Sequence, residues 1–156
     1  MTINLEKESV APNFNLPSST GGNISLDSLK SKVVVLYFYP KDSTPGCTIE
    51  AKDFRDHYKE FTELNTEILG VSKDNIESHK KFANKQSLPF PLLSDYNGSL
   101  CQNYGVWVEK SMFGKKYMGI ERSTFLIDKN GIIKKIWNKV KVKGHVEQIL
   151  KKIKAL

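Results

Sequence analysis

Cys47 is the residue whose type and position best suit chemistry in this sequence. It follows Thr44, Pro45 and Gly46, where a predicted strand gives way to a predicted helix. Threonine is a good N-cap and proline suits the first helical position, so Cys47 is expected in the first helical turn. There the free backbone N–H groups and the helix dipole favour a thiolate over a thiol. The pattern predicts a nucleophilic cysteine, although a lone cysteine can also be a small buried apolar residue.

Two predicted elements must position Cys47. The run from Lys32 to Tyr39 is rich in β-branched and aromatic residues, as in a strand covered on both faces, and is predicted to be the central strand. Pro40 ends it because proline has no N–H for the ladder. From Pro45 to about Leu64 the apolar residues recur every three or four positions, which predicts one helix with a buried stripe. Cys47 lies on that stripe, so it is expected to face the sheet from the floor of a pocket.

The rest of the chain alternates strands with helices and closes with a hairpin and a helix. This order predicts an α/β fold with a central mixed sheet flanked by helices and an N-terminal β-hairpin. No repeat or linker interrupts it, so one domain over residues 1–156 is expected. The further expected elements are a hairpin of 14–16 and 23–26, a helical turn at 27–29, a strand at 67–72, a helix at 76–85, a strand at 91–94, a helical turn at 98–104, a loop at 107–117, paired strands at 123–127 and 132–137, and a helix at 146–153.

Composition and charge exclude several classes of function. The chain is 39% hydrophobic and 26% charged, which is typical of globular proteins. Its longest apolar run, Val33 to Tyr39, is far shorter than the roughly 18 residues of a membrane span, and the N-terminus lacks a secretory signal, so a cytoplasmic protein without membrane contact is expected. The net charge of +7 permits nucleic-acid binding, but the lysines are scattered and no nucleic-acid partner is expected. The three histidines and two cysteines fall in no ligand spacing, so no metal site is expected.

The segment around Cys47 resembles a known family. Pro40, Thr44 and Cys47 stand in the spacing Pro-x3-Thr-x2-Cys, and the run from Tyr39 to Thr48 closely resembles peroxiredoxin Q, also called bacterioferritin comigratory protein. The likeness extends over the whole chain and includes residues 93–95, 104–107 and 122–131. It implies a thioredoxin-like fold and an antioxidant peroxidase that reduces hydrogen peroxide and organic hydroperoxides without a cofactor.

The resemblance also implies roles for four residues. Cys47 would be the peroxidatic cysteine, which a hydroperoxide oxidises to a sulfenic acid. Thr44 would hydrogen-bond the sulfur and the peroxide, Pro40 would shield the thiolate from water, and Arg122 would hold the anion and polarise the O–O bond. Arg122 opens an apolar strand, so its guanidinium is expected either exposed at the strand end or opposite an anion.

The sequence departs from the family in its resolving cysteine. Many members carry a second cysteine five residues after the first, where this chain has Lys52, and others carry it near 82–84, where this chain has none. Cys101 is a possible resolving residue, but the plainer interpretation is a packed, inert thiol. We therefore expect a one-cysteine cycle in a monomer, with an external thiol such as thioredoxin, glutaredoxin or glutathione as reductant.

The residues are less consistent with two other functions. A general thiol-disulfide oxidoreductase of the same fold normally needs a Cys-x-x-Cys pair, and Thr44 stands where its first cysteine would be. A basic binding protein or a holdase-like partner would rest on the net charge of +7 and the lysine-rich C-terminal third, and the scattered lysines disfavour it.

Overall fold

A five-stranded mixed sheet forms the centre of the protein in the computed structural model, which describes residues 5–156. Its strand order is β5-β4-β3-β8-β9, and β1-β2 and β6-β7 form separate two-stranded antiparallel sheets. The strands are β1 Asn15–Pro17, β2 Asn23–Ser25, β3 Val33–Phe38, β4 Thr66–Ser72, β5 Leu92–Ser94, β6 Trp107–Met112, β7 Lys115–Ile120, β8 Ser123–Ile127 and β9 Ile133–Trp137. The helices are α1 Pro45–Asp56, α2 Tyr58–Glu63, α3 Ile76–Gln86, α4 Ser99–Asn103 and α5 His145–Lys154, and Asp27–Leu29 forms a 3-10 turn.

β3 is the central strand, as its composition predicts. It pairs in parallel with β4 on one side and antiparallel with β8 on the other. Residues Val34 to Phe38 are at most 1% exposed, because helices or loops cover both faces of the strand. The α/β class, the mixed sheet and the N-terminal hairpin are therefore confirmed.

The sheet separates two hydrophobic clusters. Alternate β3 side chains, Tyr37 on one face and Leu36 and Phe38 on the other, belong to different clusters, as the period of a strand requires. One cluster holds Cys47 together with residues of α1, α2, α3 and α5. The other holds Cys101 together with residues of α4 and the N-terminal segment. The two cysteines therefore lie on opposite sides of the sheet.

The prediction of one helix from Pro45 to Leu64 is wrong in one respect. The helix breaks at His57, so the segment consists of α1 and α2. The His57 ring Nδ1 donates a hydrogen bond to the carbonyl of Asp53 at 2.8 Å, and its backbone adopts φ −105° and ψ 6°. A side chain that binds the last carbonyls of a helix favours its end, and the apolar stripe gave no sign of this.

The prediction of a loop at 107–117 is also wrong, because β6 and β7 form a hairpin there. Met112 pairs with Lys115, and the two residues between them, Phe113 and Gly114, both have positive φ. This is the geometry of a type I′ turn. The sequence hid it because phenylalanine is an unusual residue at the first turn position and the hairpin is largely exposed on both faces, so its strands lack clear alternation.

Candidate active site

The end of β3 and the start of α1 place Cys47 in the first helical turn, as predicted. Pro45 begins the helix, and Thr44 precedes it in extended geometry as the N-cap. The Thr44 hydroxyl does not cap the helix; it donates to the carbonyl of Lys41 at 2.8 Å and so closes the turn before α1. Thr44 is partly buried and Pro40 is exposed. Both lie in the five-residue segment 40–44, which we call the active-site loop.

Arg122 lies against Cys47. Its Nη2 donates a hydrogen bond to Cys47 Sγ at 3.3 Å, across 75 residues of sequence. Cys47 is 1% exposed and the Arg122 side chain 17%. Arg122 immediately precedes β8, the antiparallel neighbour of β3, and this pairing brings its side chain to the helix that follows β3. Of the two positions expected for Arg122, the structure has the one opposite an anion-forming group.

Glu50 completes the charged part of the site. Its Oε1 accepts a hydrogen bond from Arg122 Nη1 at 2.6 Å, and its side chain is 1% exposed. Burial raises the pKa of Glu50 to about 7, although the charge of Arg122 works in the opposite direction. Sequence reasoning assigned Glu50 no role, yet its position three residues after Cys47 puts both on one face of α1.

Gly46 leaves room for the guanidinium. A Cβ atom at this position would lie 3.2 Å from Arg122 Nη2, which is tighter than ordinary van der Waals contact. A side chain at 46 would therefore push Arg122 away from the sulfur. This is a reason for glycine that its place in the motif alone does not reveal.

Arg122 also affects two basic residues near the site, Lys110 and His145. Burial and the charge of Arg122 lower the pKa of Lys110, and the same two causes lower the pKa of His145 to about 4. His145 Nε2 hydrogen-bonds the Thr124 hydroxyl on β8 at 2.8 Å. The Tyr37 hydroxyl and Glu50 Oε2 are buried polar atoms without a hydrogen-bond partner among residues 5–156.

The sulfur of Cys47 is closed off from solvent in this conformation, since the residue is 1% exposed. Two cavities, of about 670 and 430 Å³, are lined by residues elsewhere in the described part of the chain. Because Cys47 is 1% exposed, a reagent larger than a small hydroperoxide needs a local movement to reach the sulfur.

Cys101 differs from Cys47 in both its location and its reactivity. It is fully buried in α4 on the opposite face of the sheet. Burial, together with the neighbouring Asp95 carboxylate, raises the pKa of the Cys101 thiol far above its ordinary value. A thiol held protonated in this way is a poor nucleophile.

The structure also gathers three residues that the sequence did not connect. Asp42, Asp74 and His79 have carboxylate and imidazole atoms within 4.8 Å of one another. Asp42 is in the active-site loop, and His79 is on α3, 37 residues away. Their donor and acceptor atoms are engaged with one another and with nearby hydroxyl and backbone groups. Separations of this length carry no local sequence signal.

Among residues 5–156, no helix is both long and apolar enough to cross a membrane.

Comparison with known proteins places this site in a family. The model of the AhpC/TSA family matches residues 8–136. A peroxiredoxin Bcp of Bacillus subtilis is 52% identical over 99% of this chain and 97% of its own, and a putative peroxiredoxin bcp of Coxiella burnetii is 51% identical over 95% and 98%. The solved peroxiredoxin Q of Xanthomonas campestris superposes with a TM-score of 0.89 at 42% identity, covering 96% of this chain and 98% of the other. The chain therefore belongs to the AhpC/TSA family, within its peroxiredoxin Q or bacterioferritin comigratory protein group of thiol-dependent peroxidases.

Proposed function

We propose that Cys47 is the peroxidatic cysteine of this peroxidase. A thiolate electron pair attacks one peroxide oxygen, so that an S–O bond forms as the O–O bond breaks. The departing hydroxide or alkoxide takes up a proton and leaves as water or an alcohol, while the sulfur becomes a sulfenic acid. The observation that carries this assignment is the 3.3 Å hydrogen bond from Arg122 to Cys47 Sγ at a helix N-terminus.

Arg122 stabilises negative charge at two stages of this reaction. Before attack its guanidinium hydrogen-bonds the attacking sulfur, and during attack it faces the oxygen on which charge develops. Glu50 holds the guanidinium by a 2.6 Å hydrogen bond, which fixes the direction of the remaining donors. Glu50 is therefore a positioning residue in this proposal.

Thr44 and Pro40 serve the same step. The Thr44 hydroxyl lies one helical turn before Cys47, and by rotating away from Lys41 it donates to the peroxide. Pro40 begins the active-site loop, and its proposed role is to shield the thiolate with an apolar ring that offers no N–H to water. Hydrogen peroxide and organic hydroperoxides are the proposed substrates. The alkyl peroxide reduction activity of the Xanthomonas campestris bacterioferritin comigratory protein, 45% identical to this chain, supports the organic class.

An external thiol completes the proposed cycle. It attacks the sulfenic sulfur, releases water and forms a mixed disulfide, and a second thiol then frees Cys47. Thioredoxin, glutaredoxin and glutathione are the candidates, and all fit a reducing compartment such as the cytoplasm. In the proposed enzyme, a monomer of one domain, Cys47, Glu50 and Arg122 of the same chain contact one another. Light scattering of the reduced and oxidised protein tests the monomer directly.

Stopped-flow oxidation of the reduced protein tests the assignment. We expect Cys47→Ser to abolish peroxide consumption, and the matched control Cys101→Ser to retain it. Peroxide reduction by the Cys47→Ser variant would contradict the proposal, as would an oxidation rate of the wild-type thiol no faster than that of free cysteine. Reduction of insulin disulfides at a comparable rate would favour a general thiol-disulfide oxidoreductase instead.

A further inference from the structure

Asp42 is the residue that ties the active-site loop to the rest of the protein. It is 5% exposed, although it lies in the middle of a surface loop. Its Oδ1 accepts from the Tyr39 hydroxyl, and its Oδ2 accepts from the Ser78 hydroxyl at 2.8 Å and lies 2.7 Å from His79 Nδ1. In the described part of the chain, the hydrogen bonds that lead from residues 40–44 to elements beyond β3 and α1 all involve Asp42.

The ring of His79 is oriented so that its Nδ1 faces the Asp42 carboxylate. It is fully buried on α3, and its Nε2 lies 2.9 Å from the carbonyl oxygen of Leu93 on β5. A carbonyl oxygen only accepts, so Nε2 carries a hydrogen and the ring is fixed in orientation. Nδ1 then faces Asp42, which two hydroxyl donors already surround. The pattern is that of a short, buried hydrogen bond between the imidazole ring and a carboxylate that also accepts from two hydroxyls.

The backbone of the loop needs such an anchor. Ser43 has φ +61°, a left-handed conformation that is unfavourable for a residue with a side chain. The Asp42 N–H is bound in turn by Asp74 Oδ2 at 2.9 Å, and Asp74 is held by the Ser72 hydroxyl at 2.6 Å. Two sides of the loop, its carboxylate and its backbone, are therefore fastened to β4, β5 and α3.

The proposed cycle makes opposite demands on this loop. Reaction with peroxide needs the closed arrangement in which Cys47 is 1% exposed and Arg122 contacts its sulfur. Reduction of the sulfenic acid needs an external thiol to reach the same sulfur. The loop must therefore open once in each turnover, and the contacts that hold it closed set how often it opens.

We propose that the Asp42–His79 hydrogen bond is a latch that holds the active-site loop closed over Cys47, so that both residues position the peroxidatic cysteine without touching substrate. This rests on the proposed function of Cys47. Weakening the latch slows the reaction with peroxide and speeds the reaction with the reductant. A role in stability alone would not change these two rates in opposite directions.

Asp42→Ala tests the latch, because it removes the acceptor of three hydrogen bonds. Two rates are measured on the folded variant: second-order oxidation of Cys47 by hydrogen peroxide, and alkylation of the reduced Cys47 by a bulky maleimide. The variant is made in a Cys101→Ser background so that only Cys47 reacts. We expect oxidation to slow and alkylation to accelerate, each by about tenfold or more. Re-reduction of the sulfenic acid by a thiol should accelerate with alkylation.

Two further variants sharpen the test. Asp42→Asn keeps an acceptor for Tyr39 and a side-chain amide within hydrogen-bond reach of His79 Nδ1, so it should restore both rates to within about threefold of wild type. Asp56→Ala removes an exposed carboxylate near the end of α1 and should leave both rates unchanged. If Asp42→Ala does not fold, Ser78→Ala replaces it. This variant removes one of the three donors to Asp42, the hydroxyl on α3, and should change the oxidation and alkylation rates in the same directions but by less.

If Asp42→Ala slows both oxidation and alkylation of Cys47, or changes neither, the latch proposal is wrong. It is also wrong if Asp42→Asn is alkylated as fast as Asp42→Ala. Alkylation of Cys47 does not depend on peroxidase activity. If wild-type Cys47 fails to react with peroxide while Asp42→Ala still accelerates alkylation, the peroxidatic assignment fails and the closed loop stands.

Discussion

Arg122 joins two groups that are both disfavoured by burial when charged. Glu50 and the Cys47 sulfur are each 1% exposed, and the guanidinium donates to both. A buried charge is tolerated only when it is paired and hydrogen-bonded. The proposed active site is therefore a chain of three residues in which a change at one residue alters the other two.

Gly46→Ala probes the position of the guanidinium without altering its chemistry. The added Cβ would meet Arg122 Nη2 at 3.2 Å and force it to shift by a few tenths of an ångström. We expect oxidation of Cys47 by peroxide to slow by roughly tenfold, because catalysis is sensitive to small misplacements. Stability should hold or rise by up to about 1 kcal/mol, since alanine is the better helix former. Stopped-flow and thermal unfolding check the two effects, with the exposed Lys52→Ala as control; an unchanged oxidation rate would refute the steric argument.

Glu50→Gln probes the buried carboxylate through pH. Burial raises the folded-state pKa of Glu50 to about 7, above its value of about 4.3 in the unfolded chain. The folded state therefore binds more protons between these values, and the stability that Glu50 contributes is full below about pH 4 and is lost as pH rises through 7. Relative to the glutamine variant, wild type should lose on the order of 3 kcal/mol of unfolding free energy between pH 4 and pH 8. Urea unfolding of both proteins at the two pH values measures this. If the unfolding free energy of wild type, relative to that of Glu50→Gln, is the same or higher at pH 8 than at pH 4, Glu50 is ionised throughout.

At the scale of elements, β3 and α1 could be predicted from the sequence because each depends on local pattern. The apolar run of β3 and the Thr44-Pro45 start of α1 are both seen in the structure. The hairpin of β6 and β7 could not be predicted, because its faces are exposed and its strands lack a clear apolar pattern. The helix break at His57 could not be predicted either, because it depends on the His57 side chain binding the Asp53 carbonyl. Contacts such as Glu50 with Arg122, 72 residues apart, depend on strand pairing that the sequence does not specify.

Gly70→Ala tests how tightly β4 packs against its neighbours. A Cβ at this position would lie 2.8 Å from Leu92 Cδ2 on β5 and 2.9 Å from Tyr37 Cζ on β3. Both neighbours are buried, so the added methyl group overpacks the sheet, and we expect a loss of about 1–3 kcal/mol in unfolding free energy. Gly119→Ala is the matched control, because its Cβ would meet only the flexible end of Lys110 at 3.3 Å and the nearby Tyr117 ring at 3.4 Å. Urea unfolding of both variants decides the matter. Equal stabilities would show that the sheet relaxes around the added methyl group.

At the scale of the whole molecule, the central sheet separates the two cysteines. Cys47 packs with α1 and the aromatic residues Tyr37 and Phe54 on one face, and Cys101 packs with Tyr104 on the other. The sequence favoured Cys101 as an inert thiol on local grounds, but which face each cysteine occupies follows from the strand order. The sequence alone could not provide that order, because β3 pairs with β8, a strand that is distant from it in sequence.

This division predicts that Cys47 and Cys101 do not form a disulfide during turnover. A disulfide needs Cα atoms about 4.4–6.8 Å apart, and a central strand stands between these two. After one equivalent of peroxide, mass spectrometry should find Cys47 as a sulfenic acid that dimedone traps, and Cys101 as a free thiol that alkylates once the protein is denatured. Cys101→Ser should turn over with an external thiol as fast as wild type, because the serine keeps a donor toward Asp95. A Cys47–Cys101 disulfide formed within one turnover would require one face of the sheet to unfold in each cycle, and the one-cysteine mechanism would then be wrong.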